Sequence, residues 1–431
     1  MNSSTKAAPS TLWQILCAIG PAIIVASVVV GPGSLLLNSK VGAEFEFGFV
    51  WLLLLATLLM GMMTAVSARI GVVFAHTPCQ QIAHELGRPI AVVVGLTLFL
   101  ITTCFQVSNN IGVMGALNLI LTSWVPESQL STVSVGLVIG LNAFLIFSLY
   151  GTNKPYQVIE KLMMILVGLM LVGFLWNACS IQPDVTALLK GIVPSTSVWT
   201  LSPDQQQLLI GMIATTCSIA GAFYQGYAVR EKGWTRENYR SSLVDVLVGI
   251  GVLGAISLLV MTTTATVLQG TPITKLEQVA DQLTPLLGSW ARLLFGIGLF
   301  AGALSSLLGN VLIGGTVLAD GLGFSSSLET KQTRHLTTAG LLAGMIIALG
   351  SKASGIDYAA LIVLAQALTV IGVPMLALAL VYLTNFSKQM QPGDFPIWQK
   401  GVAWFALLLS VLLACNQLNN VMIKIQKMLA G

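Results

Sequence analysis

The sequence predicts an all-α polytopic membrane protein of eleven transmembrane helices, ten of them arranged as an inverted repeat of five plus five. Three observations predict it. Only 8% of the 431 residues are charged and 55% are hydrophobic, where a soluble domain carries roughly 25% charged residues. Apolar runs of 18 or more residues recur along the whole length, each able to cross a hydrocarbon core of about 30 Å as a helix. Two of these runs are interrupted by small residues at matching places, five helices apart.

Taken in order, helices are expected near residues 13–37, 47–74, 89–121, 132–151, 156–179, 206–230, 240–267, 286–318, 334–351, 357–384 and 398–421. This divides the chain into an N-terminal segment (1–12), a ten-helix core (13–384, with repeats 13–205 and 206–384) and an extra helix within 385–431. The first run, Leu12 to Val30, follows Lys6 and ends without a small-residue cleavage motif, so it reads as a first span and not as a removable leader. With the N-terminus in the cytoplasm, thirteen Lys and Arg residues fall inside, among them Arg69, Arg88, Arg230 and Arg236, and seven fall outside. That bias orients the chain N-terminus-in, in a bacterial-type inner (plasma) membrane. The 42 glycines suit close helix packing in lipid. Six scattered cysteines (Cys17, Cys79, Cys104, Cys179, Cys217, Cys415) form no Cys-x-x-Cys pair, and no His stands at ligand spacing, which argues against a disulfide framework or a zinc site. No cofactor is expected. The net charge of +4 is spread over loops and implies no nucleic-acid partner.

The two interruptions carry the functional reading. In the first span, Gly31-Pro32-Gly33-Ser34 follows Val28-Val29-Val30; Pro32 lacks an N–H and the glycines tolerate non-helical angles, so the helix breaks there. In the sixth, Thr215-Thr216-Cys217-Ser218 leads to Gly221. Backbone groups freed at membrane depth are tolerated only where they face protein or a water-filled cavity, and paired broken helices point to a transporter's binding site. The bland alternative is a kinked packing helix at Pro32 and a close helix approach at Gly221.

Several stretches resemble the natural resistance-associated macrophage protein (NRAMP) family of proton-coupled divalent-metal transporters. They are Gly48 to Val72 with its Ser67-Ala68-Arg69-Ile70-Gly71 ending, Ala116-Leu117-Asn118-Leu119, Phe295-Gly296-Ile297-Gly298-Leu299 leading to Ser305-Ser306, and Gln366 to Pro374. The resemblance implies the inverted-repeat fold shared with sodium-coupled amino-acid transporters, alternating access between two faces, and a metal site at the breaks. The family's ligand residues differ here. Its Asp-Pro-Gly-Asn becomes Gly31-Pro32-Gly33-Ser34, and the soft thioether of its sixth helix becomes the hydroxyl of Ser218. A following histidine corresponds to Gln225, and the third-helix carboxylates of the proton route correspond to Gln106 and Asn109. The ninth-helix arginines align with Arg334-His335-Leu336, so at least one is lost together with its partners. Joint loss is what electrostatics requires, since stripping one partner from a buried ion pair costs about 3–5 kcal/mol.

What remains for binding is a neutral set: backbone at Gly31, Pro32, Gly33 and Gly221, the hydroxyls of Ser34, Thr215 and Ser218, the amide of Gln366, and the thiol of Cys217. If a metal binds, Ser34, Ser218 and Gln366 are its expected side-chain ligands. Hard neutral oxygens favour a cation such as Mg²⁺ over Mn²⁺ or Fe²⁺. The competing expectation is a small zwitterionic or anionic solute held at the half-helix N-termini. Ser34, Ser218, Asn109 and Gln366 also have structural readings, as partners for freed backbone or as glue between helices. Gln106, Asn109, Gln225 and Asp245 are the candidate pathway. Asp245 is a functional candidate because it lies within the membrane, although nearby Arg236 and Arg240 point first to a salt bridge at the cytoplasmic side. Transport is therefore expected to be facilitative, or coupled through Asp245. Expected partners are a metal cation or small solute and the lipid bilayer, with a monomer as the working unit. No Ser-His-Asp set or paired carboxylates marks an enzyme; a non-transporting sensor is the remaining alternative.

Overall fold

Proline and glycine set most of the helix boundaries. The computed structural model describes residues 20–122, 124–151, 155–194, 200–271, 273, 290–353 and 358–430. Among these there are helices and no strands. The first span is cut into α1 (Pro21–Val29) and α2 (Pro32–Phe45), each with proline in its first turn, and the two are bent by 60°. Then come α3 (Val50–Val73), the short amphipathic α4 (Pro78–Leu86) and the long α5 (Arg88–Leu121). They are followed by α6 (Glu127–Gly151), α7 (Pro155–Ile181) and the single-turn α8 (Val185–Lys190). The sixth span is α9 (Pro203–Thr216) plus α10 (Ile219–Glu231). The remaining helices are α11 (Tyr239–Val267), α12 (Trp290–Leu322), α13 (Lys331–Ala353), α14 (Tyr358–Asn385) and α15 (Ile397–Ala430).

Eight helices among the described residues are long and apolar enough to cross a membrane, nine with the bent pair α1–α2 taken as one span. In chain order α13 and α14 stand at the expected ninth and tenth spans. The polar start of α13, Lys331 to Arg334, dilutes its apolar character. The first span differs from expectation at its C-terminal end, where α2 runs on to Phe45; its expected start at 13–19 lies outside the described residues. The eighth runs to Leu322 instead of 318, which brings Asp320 into the helix.

The long helices α5 and α12 pack along each other through the middle of the molecule. At Gly321 a Cβ would lie 2.6 Å from the Ala91 carbonyl oxygen, so only glycine permits this separation. α1 is held between α10, α11 and α12, while α2 lies on α11 and α9. The face on which α1 begins (the near face) is closed by charge. Arg236 forms a bidentate pair with Asp394 at 2.8 and 3.3 Å, and Arg230 donates to the carbonyls of Gly71, Phe74 and Ala75 at the end of α3. The opposite, far face is joined by backbone: Trp51 N–H to Gly191 O and Gly270 N–H to Ala43 O, each at 2.9 Å. There Glu44 and Glu46 accept the amides of Gln205 and Gln269.

Candidate functional site

The two breaks share one backbone conformation. Val30 ends α1 at φ −81°, ψ 64°, and Cys217 ends α9 at φ −87°, ψ 66°. Both are inverse γ-turn geometries, and at the first the Gly31 N–H donates to Val29 O at 2.9 Å. Beyond them the pieces differ. Ser218 caps α10, its Oγ accepting the Gly221 N–H at 3.2 Å, whereas α2 begins at Gly31 with no side-chain cap. Pro32, at the first helical position where its missing N–H is harmless, presses on α5: a Cβ on Gly112 would lie 2.1 Å from Pro32 Cγ.

Between the breaks is a buried cavity lined by Val28, Val29, Gly31, Ser34, Phe105, Asn109, Thr215, Ser218 and Ser306. It offers about 10 Å³ to the centre of a water-sized sphere, about the room for one water. Gly31 keeps it open, since a Cβ there would meet Ser306 Oγ at 2.8 Å and Asn109 Oδ1 at 3.2 Å. Ser306, on α12, donates to Val28 O at 2.8 Å. That carbonyl is one of those a helix end leaves without a helical partner. Asn310 supports Ser306, donating to its carbonyl at 2.8 Å and to its Oγ at 3.3 Å. Ser34 Oγ accepts from Asn38 Nδ2 at 3.3 Å, and Thr215 Oγ donates back to Gly211 O at 3.0 Å. Asn109 is buried, and its Nδ2 has no partner in the protein.

None of the lining side chains is ionisable. The local field therefore comes from helix ends: negative at the last carbonyls of α1 and α9, positive at the first N–H groups of α2 and α10. Among the described residues, no three His, Cys, Asp or Glu side chains gather anywhere as a metal cluster. The lining hydroxyl, amide and carbonyl groups are hard, neutral donors that suit a hard cation.

Of the residues singled out in the sequence, Gly31, Ser34, Asn109, Thr215 and Ser218 come together here. Pro32 and Gly221 sit in the first turns next to the cavity without lining it, as does Gly33. The side chain of Gln366 lies outside the described residues; its helix α14 reaches the second break through Thr369, Val370 and Val373. Gln106 faces α12 instead, donating to Leu307 O at 3.0 Å. The Cys217 thiol turns away to Ala56 O on α3 at 3.0 Å, so it is not a cavity ligand.

The expected salt bridge of Asp245 is corrected. Its Oδ1 accepts the Gly20 N–H and its Oδ2 the Ala22 N–H, both at 2.8 Å, and Gln225 Nε2 adds a third bond at 3.2 Å. Arg236 pairs with Asp394 instead. Gln225 is thus drawn to Asp245, outside the cavity. Sequence reading missed Ser306, Phe105 and the buried Asp320, which accepts from Thr77 Oγ and Tyr227 OH at 2.6 and 2.8 Å. Ser306 carried one signal, a hydroxyl within a helix of small residues, but that pattern equally marks packing.

Comparison with known proteins bears on the family and the fold. Residues 22–419 match the family model "Natural resistance-associated macrophage protein-like". The divalent metal cation transporter MntH of Klebsiella pneumoniae is 24% identical over 409 residues, covering 94% of this chain and 93% of its own. MntH of Deinococcus radiodurans is 25% identical over 392 residues, with 88% and 84% covered. The crystal structure of the Eremococcus coleocola manganese transporter, in complex with an aromatic bis-isothiourea substituted compound, superposes with a TM-score of 0.78 at 20% identity, covering 95% of this chain and 87% of its own.

Proposed function

The chain belongs to the natural resistance-associated macrophage protein (Nramp) family, and on that footing we propose that it is a secondary transporter moving a metal cation through a neutral-oxygen site at the paired breaks. The observation that carries this reading is the convergence of both half-helix junctions on one cavity lined by Gly31, Ser34, Asn109, Thr215, Ser218 and Ser306. The relatives named as divalent metal cation transporters support the cargo class. The remodelled site, lacking the family's carboxylate and thioether ligands, favours a hard cation such as Mg²⁺ over Mn²⁺ or Fe²⁺. The cavity has room for one water-sized particle, so an ion that keeps its water enters only when the half-helices part.

The N-terminus lies in the cytoplasm of a bacterial-type plasma membrane, as the distribution of Lys and Arg supports. With Gln106 and Asn109 in place of carboxylates on the proton route, transport is facilitative. The chain is a transporter and not an enzyme, and a single copy holds the whole cavity. The uncapped start of α2 and the unpartnered Asn109 Nδ2 favour one second reading, a small solute bearing a carboxylate.

Purified protein in proteoliposomes, assayed for uptake of Mg²⁺, of Mn²⁺ and of zwitterionic amino acids, separates the two. Saturable cation uptake, with Mg²⁺ preferred, is expected. Uptake of an amino acid with no binding of either ion would reject the cation reading in favour of the second.

A further inference from the structure

α1 is nine residues long and separated from α2 by the 60° break, so its position depends on what grips its ends. One end is the hinge at Val30. The other end is held by Asp245 of α11, which is fully buried and takes the N–H groups of Gly20 and Ala22, one on each carboxylate oxygen. Pro21 between them has no N–H, and the Ile23 N–H is spent on Gly20 O at 3.1 Å. Asp245 thus takes the N–H of the cap residue Gly20 and the one N–H that the first three residues of α1 leave free. The grip is reinforced by close contact, because a Cβ on Gly249, one turn along α11, would lie 2.6 Å from the Ala22 carbonyl carbon. Gln225 of α10 ties the same carboxylate to the second broken span. Beside Gly20 stand Glu160 of α7 and Lys232, 4.0 Å apart.

We propose that Asp245 is a positioning residue, a latch that holds the base of α1 against α11 and so keeps the central cavity shut toward the near face. Val28 and Val29 at the other end of α1 are walls of that cavity. Releasing the base lets α1 pivot at Val30 and takes one wall away. Asparagine at 245 keeps the size but presents an NH₂ to an N–H donor, so one of the two bonds becomes a repulsion between donors.

The test uses full-length protein in proteoliposomes, native cysteines replaced by serine and a reporter in Val29→Cys. A membrane-impermeant maleimide is applied from each face in turn. Asp245→Asn is expected to raise the near-face alkylation rate about tenfold and lower the far-face rate, a shift between two states of that size. Asp245→Glu, which retains a carboxylate, restores most of the original ratio. Gly249→Ala, which leaves Asp245 untouched and displaces Ala22, moves the rates in the same direction as Asp245→Asn. A near-face rate in folded Asp245→Asn equal to that of the parent overturns the latch. Where Asp245→Asn does not fold, an unchanged rate in Gly249→Ala overturns it. The readout involves no substrate, so a failure of cation uptake in the parent would remove the cargo reading and leave the latch standing.

Discussion

Gly31 and Ser306 face each other across the cavity, and the space between them is set by what Gly31 lacks. In Gly31→Ala the new methyl meets the Ser306 hydroxyl at 2.8 Å and fills room for one water. Uptake is expected to fall about tenfold or more, the factor that 1.4 kcal/mol represents, with little loss of thermal stability. Ser306→Ala alone frees Val28 O, and an unsatisfied buried acceptor costs about 1–3 kcal/mol. Combining the two relieves the hydroxyl clash, so the double variant should be less impaired in uptake than the two single losses predict together. Strict additivity in that cycle would show that the two do not meet. Gly31 was legible in the sequence because Gly-Pro-Gly can hardly remain helical. Ser306 was not: a serine among Gly and Ala on a buried helix reads as packing until the partner carbonyl is seen. The expected salt bridge of Asp245 fails because sequence shows side-chain charge, whereas two of its three partners are backbone N–H groups with no residue signature.

Elements on the near face depend on carboxylates that hold backbone and hydroxyls. Glu85, at the end of α4, accepts from Gln81, Ser387 and Tyr382 side chains and from the Lys388 N–H at 2.5–3.0 Å. Burial pushes its carboxyl up, but the bonds from Ser387, Tyr382, Lys388 and Gln81 together outweigh this and hold it below its ordinary value. The sign follows directly. A carboxyl lowered in the folded state contributes stability above its unfolded value, about 4.3, and loses it as pH falls through the lower folded value. Melting followed from pH 6 to 3 should show that this acid-side loss is smaller in Glu85→Gln than in the parent. An identical slope would mean that Glu85 does not tie α4 to the end of α14. The helices themselves were legible from their apolar runs. The second break was legible only by its register with the first, for Cys217 has no glycine or proline beside it and yet adopts the backbone angles of Val30.

At the scale of the molecule, the alternation of helices places the loop at 232–238 on the near face and that at 182–184 on the far face. The proposed orientation, which rests on the charge bias, puts the near face in the cytoplasm. With native cysteines removed, Glu237→Cys should react with an impermeant maleimide only in inside-out vesicles, and Val185→Cys only in right-side-out vesicles; both positions are exposed. The opposite pattern would invert the assigned orientation and leave the fold unaltered. The overall architecture could be read because membrane insertion writes itself into composition. The closure of the two faces could not, since it rests on contacts between distant loops.

The far-face joins, Trp51 N–H to Gly191 O and Gly270 N–H to Ala43 O, are made by main chain alone. A change of side chain at Trp51 leaves its N–H in place, but Gly191 and Gly270 have no such freedom: a Cβ on Gly191 would lie 2.1 Å from the Phe47 carbonyl oxygen, and Gly270 holds φ at 69°. The far rim can therefore drift in chemistry at position 51 but not at its two glycines, and an imino acid at 51 or 270 removes a donor outright.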